Sequence, residues 1–224
     1  MNQELPRIAV IVPALNEESR IGAVLEVLTN VALIEEVIVV DDGSTDRTSE
    51  VARKYGARVL RHEINGGKGA AMQTGIEATD ADIIAFIDAD LVGLKQKHIE
   101  DLLNPLINSN DIMMTVGKFE GGRLRTDLAQ KIVPFISGQR ALKRDFLYGL
   151  ADLRNTGFGV EIAITQHAKN NGFKVKEVIF DEAGQVMKEE KLGIIKGFKF
   201  RMKMYFDMLK QSIRGRAIKN AKTP

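Results

Sequence analysis

Residues 82–91 read DIIAFIDADL, and this stretch decides the fold. An unbroken apolar run between Asp82 and Asp88 describes a short strand buried on both faces, the pattern of a parallel sheet covered by helices. Earlier runs repeat it, RIAVIVP at 7–13 and EEVIVVD at 35–41, and ARVLR at 57–61 is read as a further strand. Segments of helical character separate them. Within 16–30 the apolar residues Ile21, Val24, Leu25 and Leu28 keep helical spacing. A helix at 46–55 is entered through Gly43-Ser44-Thr45, with Ser44 or Thr45 as N-cap, and one at 66–78 opens with Gly66-Gly67-Lys68-Gly69. Strands alternating with helices predict an α/β fold, a mainly parallel central sheet with helices on both faces. Downstream we expect a helix at 96–108, a strand at 111–116, helical segments at 126–133, 137–148 and 159–171, a strand at 174–180 and a last helix at 192–213. Residues 1–190 form one domain, with halves at 7–95 and 96–190, followed by a basic amphipathic helix and tail at 191–224.

Composition excludes several chemistries. The chain has 224 residues and no cysteine, so it carries no disulfide, thiolate metal site or cysteine nucleophile. Three histidines are too few for a His-rich metal cluster, and His62, His98 and His167 stand apart in the sequence. Without tryptophan, and with 6% aromatics, the chain offers no stacking platform for single-stranded nucleic acid, and no nucleic-acid partner is expected. Charge is uneven. The net +2 divides into about −6 over residues 1–187 and +8 from Lys188 onward. The opening residues are not expected to be a signal peptide, and no run in the sequence is long enough to span a membrane. A cytoplasmic protein is expected, peripheral to the inner face of a membrane if its basic end meets anionic lipid.

Open α/β sheets bind ligands beyond the carboxyl ends of their strands. Here three such ends are polar: Pro13-Ala14-Leu15-Asn16-Glu17-Glu18, Asp41-Asp42-Gly43-Ser44 and Asp88-Ala89-Asp90. Acids converging from three strands repel one another unless a cation or donor-rich ligand joins them. Glycine-rich loops of the dinucleotide-binding and P-loop types are missing, so a bound diphosphate needs another counter-charge. Asp88 and Asp90, two apart on an extended segment, can face the same side, and hard oxygen ligands suit Mg2+ or Mn2+. Lys68 stands at a helix start, where backbone N–H groups favour anions.

VPALNEE at 12–18, VVDDGSTD at 39–46, NGGKGAA at 65–71 and FIDADL at 86–91, in this order, closely resemble glycosyltransferase family 2, enzymes of the GT-A fold. Within it the chain looks like the dolichyl- and polyprenyl-phosphate sugar synthases. The resemblance implies a nucleotide-sugar half at 7–95 and an acceptor half at 96–190. It also implies roles: Pro13, Leu15 and Glu17 line the nucleoside pocket, Asp41 contacts the base, and Lys68 lies near the base or diphosphate. Asp88 sits near ribose and metal, and Asp90 is a direct metal ligand. Arg140, in SGQRAL at 137–142, and Glu161, in GFGVE at 157–161, match acceptor-side segments. Two departures stand out. Val92 replaces a glutamine that helps hold the metal in the lipid-phosphate synthases. Glucosyl-3-phosphoglycerate-forming relatives use a late histidine as a metal ligand, and none follows His167 here.

The expected reaction is metal-dependent hexose transfer from a UDP or GDP sugar, with inversion. A lipid-phosphate acceptor, already anionic, would be positioned by Arg123, Arg125 and Arg140. An alcohol acceptor needs a base, for which Asp127 and Glu161 are the candidates. The alternatives are a soluble-acceptor transferase of the glucosyl-3-phosphoglycerate type and a non-catalytic nucleotide-sugar-binding protein. A sugar-1-phosphate nucleotidyltransferase would want a glycine- and arginine-rich loop after the first strand, which VPALNEE is not.

Overall fold

The computed structural model describes residues 5–119, 137–156 and 159–185. The basic stretch 191–224, the segment 126–133, and Asp127, Arg123 and Arg125 lie outside the described residues. The elements in chain order are β1 (Ile8–Ala14), α1 (Ile21–Leu28), β2 (Glu36–Asp41), α2 (Thr48–Lys54), β3 (Arg58–Arg61), α3 (Lys68–Glu77), β4 (Ile83–Phe86), β5 (Leu91–Val92), α4 (Gln96–Asn108), β6 (Ile112–Phe119), β7 (Arg140–Lys143), α5 (Val160–Asn170), β8 (Lys174–Phe180) and β9 (Gly184–Gln185). Seven strands form one sheet in the order β3-β2-β1-β4-β7-β6-β8, while β5 and β9 pair separately.

The unbroken apolar runs do what a doubly covered strand must. Alternate residues of β1 enter different cores: Val10 and Val12 pack under α1 and α4, and Ile11 packs under α3 and α5. Both layers close over residues of near-zero exposure, including Leu25, Leu102 and Leu103 on one face and Met72, Phe146 and Ile164 on the other. Register sets the height of the polar strand ends. Ala14 lies beside Asp41, and Ile11 beside Phe86, so the chain leaves β1, β2 and β4 at one edge.

One strand departs from expectation. The segment 137–148 contains no α-helix; Arg140–Lys143 is a strand antiparallel to both β4 and β6, followed by a 3-10 turn at Arg144–Leu147. It fills the gap between two parallel strands, and the ladder bonds gained on both sides outweigh the modest helix preference of Ala141, Leu142 and Lys143. The N-cap expectation also changes. The second helix begins at Thr48, whose N–H donates to Asp46 Oδ1 at 3.0 Å. The Ser44 hydroxyl instead accepts from Asn16 N at 2.9 Å, tying β2's turn to β1's.

α3 is held against the second half through a glycine. A Cβ at Gly69 would lie 2.2 Å from Leu153 O and 2.5 Å from Thr156 Oγ1. A carbonyl of the 3-10 turn at Leu153–Asn155 cannot step aside as a flexible side chain would. Gly69→Ala gains about 1 kcal/mol of intrinsic helix propensity but overpacks this contact at about 1–3 kcal/mol. Urea unfolding is therefore expected to show net destabilisation; a variant more stable than the wild type would contradict the contact.

Candidate active site

At the carboxyl ends of β1, β2 and β4, two acidic clusters form, and each has its own counter-charge. The first belongs to the Asp41-Asp42 pair. Asp41 is 0% exposed. Its Oδ1 accepts from Ser44 N at 2.8 Å, and its Oδ2 accepts from Arg61 Nη1 at 3.0 Å and from the Ser49 hydroxyl. Burial would raise this carboxyl, but the hydrogen bonds from Ser44 and Ser49, aided by Arg61, hold it below the ordinary range. As placed, Asp41 builds the turn with its carboxylate enclosed. Its neighbour Asp42 points to the glycine loop: Gly66 N and Gly67 N donate to its two oxygens at 2.9 and 2.7 Å, and His62 Nδ1 lies 2.7 Å from Oδ1. Gly67 has φ +87°, a backbone state open to glycine. Asp42 thus fixes the chain immediately before Lys68.

The second cluster is centred on Lys68, the first residue of α3. Its Nζ lies 2.6 Å from Asp88 Oδ1 and 2.7 Å from Glu161 Oε1, the latter on the first turn of α5. Burial alone would lower this ammonium, but Asp88 and Glu161 together raise it above the ordinary lysine value. Gln139 completes Asp88, donating from Nε2 to Oδ2 at 2.9 Å. Register explains this contact: Arg140 pairs with Phe86, so the chain just before β7 runs beside the chain just after β4. It also explains Gly138, where a Cβ would stand 2.4 Å from Asp88 Oδ2 and 2.7 Å from Lys68 Nζ.

Arg140 does not face an acceptor. It is 0% exposed. Its Nε and Nη2 donate to Ser137 O at 3.1 and 2.6 Å, and Nη1 donates to Glu161 O at 3.1 Å and Thr165 Oγ1 at 3.3 Å. Burial lowers it to about 10, partly offset by Glu161 and Asp88, which leaves it a cation at neutral pH. It is an internal strut joining β7 to α5, and so it sets where Glu161 stands. Glu161 in turn is Lys68's partner, which does not suit a base that must accept a proton.

Asp90 is half-buried, past Asp88 on the same turn. That turn is fixed from behind by β9, which pairs Val92 with Gly184, by a Lys95–Glu182 ion pair at 2.6 Å, and by His98 Nε2 at 2.7 Å from Asp181. Val92 itself is 58% exposed. At the end of β1, Pro13 is half-buried and Leu15 is 41% exposed, leaving an apolar edge on the cleft. Glu17 pairs with Arg20 at 3.6 Å. His167 bonds Phe146 O at 2.9 Å, away from both clusters. Among the described residues no group of three or more His, Asp or Glu is placed to hold a metal. Two hard carboxylates on one turn suit Mg2+ or Mn2+ if a ligand's phosphates and water supply the rest.

Sequence reasoning missed Gln139 and the division of labour between Asp41 and Asp42. The strand register places Gln139, and no periodicity shows that register. The Asp41 assignment carries a pH signature. Its folded pKa is lowered, so its contribution is present at neutral pH and is lost as pH falls below about 4, through the folded value. Asp41→Asn is expected to cost about 1–3 kcal/mol at pH 7, with the gap to the wild type closing in acid. An equal gap at both pH values, measured by urea unfolding, would contradict this.

Comparison with known proteins follows the same lines. The profile of glycosyl transferase family 2 matches residues 9–167. A glucosyl-3-phosphoglycerate synthase of Mycobacterium tuberculosis is 31% identical over 194 residues, covering 70% of this chain and 59% of its own length. The chain thus spans about three-fifths of that relative. An uncharacterised protein of Methanocaldococcus jannaschii is 32% identical over 88% of this chain and 90% of its own length. The crystal structure of the Mycobacterium tuberculosis synthase with Mn2+, UDP and glucosyl-3-phosphoglycerate superposes with a TM-score of 0.70 at 30% identity, covering 81% of this chain and 72% of that one. The α/β sheet is the expected GT-A type, while the lipid-phosphate branch finds no support among these relatives. With a profile match over most of its length, and relatives above 30% identity along most of the chain, this protein belongs to glycosyl transferase family 2.

Proposed function

We propose that the chain transfers glucose from UDP-glucose to a soluble, phosphorylated hydroxy acid of the 3-phosphoglycerate type, using Mg2+ or Mn2+. The observation that carries the reading is the Asp88–Asp90 turn with Lys68 beside it, in a chain similar to an enzyme whose crystal structure contains Mn2+, UDP and glucosyl-3-phosphoglycerate. A related structure of the same enzyme contains Mn2+ and UDP-glucose. This acceptor replaces the polyprenyl phosphate expected from sequence. Arg140, which was to position a lipid phosphate, is spent inside the protein.

In this reading Asp90 is the principal metal ligand and Asp88 the second carboxylate on the same turn. When bound, the metal supplies Lewis-acid stabilisation of the departing diphosphate. The protein's own residues do the rest. Leu15 and Pro13 give the nucleoside an apolar edge. Asp42 holds the glycine loop, and the start of α3 turns N–H groups and the Lys68 ammonium toward the diphosphate. Glu161 keeps that ammonium in place.

The direct test is a donor and acceptor screen. UDP-glucose with 3-phosphoglycerate and Mn2+ should yield UDP and a product heavier by one hexose in mass spectrometry. GDP-mannose or a short polyprenyl phosphate should give little product. Transfer only to the polyprenyl phosphate would overturn the acceptor, and full activity in excess chelator would overturn the metal. Asp90→Asn should reduce transfer by at least about 100-fold, the scale of losing one strong electrostatic stabiliser, without changing the thermal transition. Undiminished activity in that variant would remove Asp90 from the reaction.

A further inference from the structure

Both oxygens of Asp88 are held by protein donors, one of which is a cation. Lys68 Nζ lies 2.6 Å from Oδ1, and Gln139 Nε2 lies 2.9 Å from Oδ2. A divalent ion on Asp88 would share its carboxylate with the ammonium, and placing both cations on one carboxylate sets like charges side by side. As arranged, Lys68 occupies the position that Asp88 would otherwise offer to a metal.

Lys68 is built so that its side chain can leave while its backbone cannot. Asp42 holds Gly66 N and Gly67 N, and Gly69 is wedged against Leu153 O. The charge sits at the end of a four-carbon stem with several rotatable bonds. Glu161 lies 2.7 Å from the same ammonium, so a Lys68 that leaves Asp88 still has a carboxylate beside it. A diphosphate arriving at the start of α3 offers that ammonium a more highly charged anion than one carboxylate.

We propose that Lys68 orders ligand binding: it blocks Asp88 against divalent metal in the nucleotide-free protein, and the donor's diphosphate lifts the block by drawing the ammonium away. Metal then binds with or after the nucleotide, not before it. Lys68 is thus a gatekeeper of the carboxylate as well as a partner of the diphosphate. The inference rests on the donor reading given above.

The test is Mn2+ binding to the full chain, followed by the electron paramagnetic resonance signal of free Mn2+, with and without UDP. Lys68→Met should bind nucleotide-free Mn2+ at least about tenfold more tightly than the wild type, a modest share of one charge–charge interaction at short range. A general field effect would do the same, so the double variant Lys68→Met/Asp88→Asn decides between them. If Lys68 acts by blocking Asp88, the gain disappears when Asp88 is also changed. If the gain persists, or if folded Lys68→Met binds no more tightly than the wild type, the inference is overturned. Lys68→Gln, which keeps a polar end, carries the same comparison should the methionine variant lose its cooperative thermal transition. Failure of the donor reading looks different: the wild type would then bind no Mn2+ even with UDP present.

Discussion

The candidate-site end of this molecule is organised by the cost of bringing carboxylates together. Asp88 and Glu161 arrive from a strand end and a helix start far apart in sequence, and Lys68 stands between them within 2.7 Å of each. A buried charge pair of this kind does little for net stability against an apolar alternative, but removing one member leaves the others uncompensated. Much of the surrounding architecture follows from keeping that ammonium in register. Asp42 fixes the glycine loop, Gly69 and Gly138 permit close approach of backbone, and buried Arg140 fixes the carbonyl of Glu161.

The sheet supplies the positions and the second half of the chain supplies the constraint. β1, β2 and β4 deliver their polar ends to one edge, as parallel strands in an open α/β sheet do. β7 then runs antiparallel between β4 and β6, bringing Gly138 and Gln139 alongside Asp88. The Asp88–Asp90 turn is secured on its other side by the β5–β9 pair and by the His98–Asp181 and Lys95–Glu182 contacts. The turn proposed to carry a metal is thus held from behind by groups that do not themselves ligate it, while Lys68 and Gln139 engage Asp88 from the front.

Much of this was legible in the sequence. The doubly buried strands, the helix at Gln96–Asn108 and the strand at Lys174–Phe180 follow from apolar pattern alone. So does the presence of acids at strand ends, because period and burial are local properties. What escaped was set by tertiary register. SGQRALK has a composition that a helix accepts, and its pairing between two strands decides otherwise. Of the two adjacent aspartates, the one assigned to the base is wholly enclosed and its neighbour faces the loop, a distinction made by a single step along the strand. Arg140 read as an exposed cation because charged residues usually are, whereas here three backbone and hydroxyl oxygens receive it inside the protein.

In the proposed order of binding, one lysine serves the acidic site before the donor arrives and the diphosphate afterwards. A crystal structure of the chain with Mn2+ and UDP tests it most directly. An anomalous Mn2+ peak is expected within bonding distance of an Asp90 oxygen and a diphosphate oxygen. Lys68 Nζ is expected to be withdrawn from Asp88 toward the diphosphate, with the backbone of residues 66–69 unmoved. A metal bound away from Asp90, or a Lys68 ammonium still seated on Asp88 with the nucleotide in place, would contradict it.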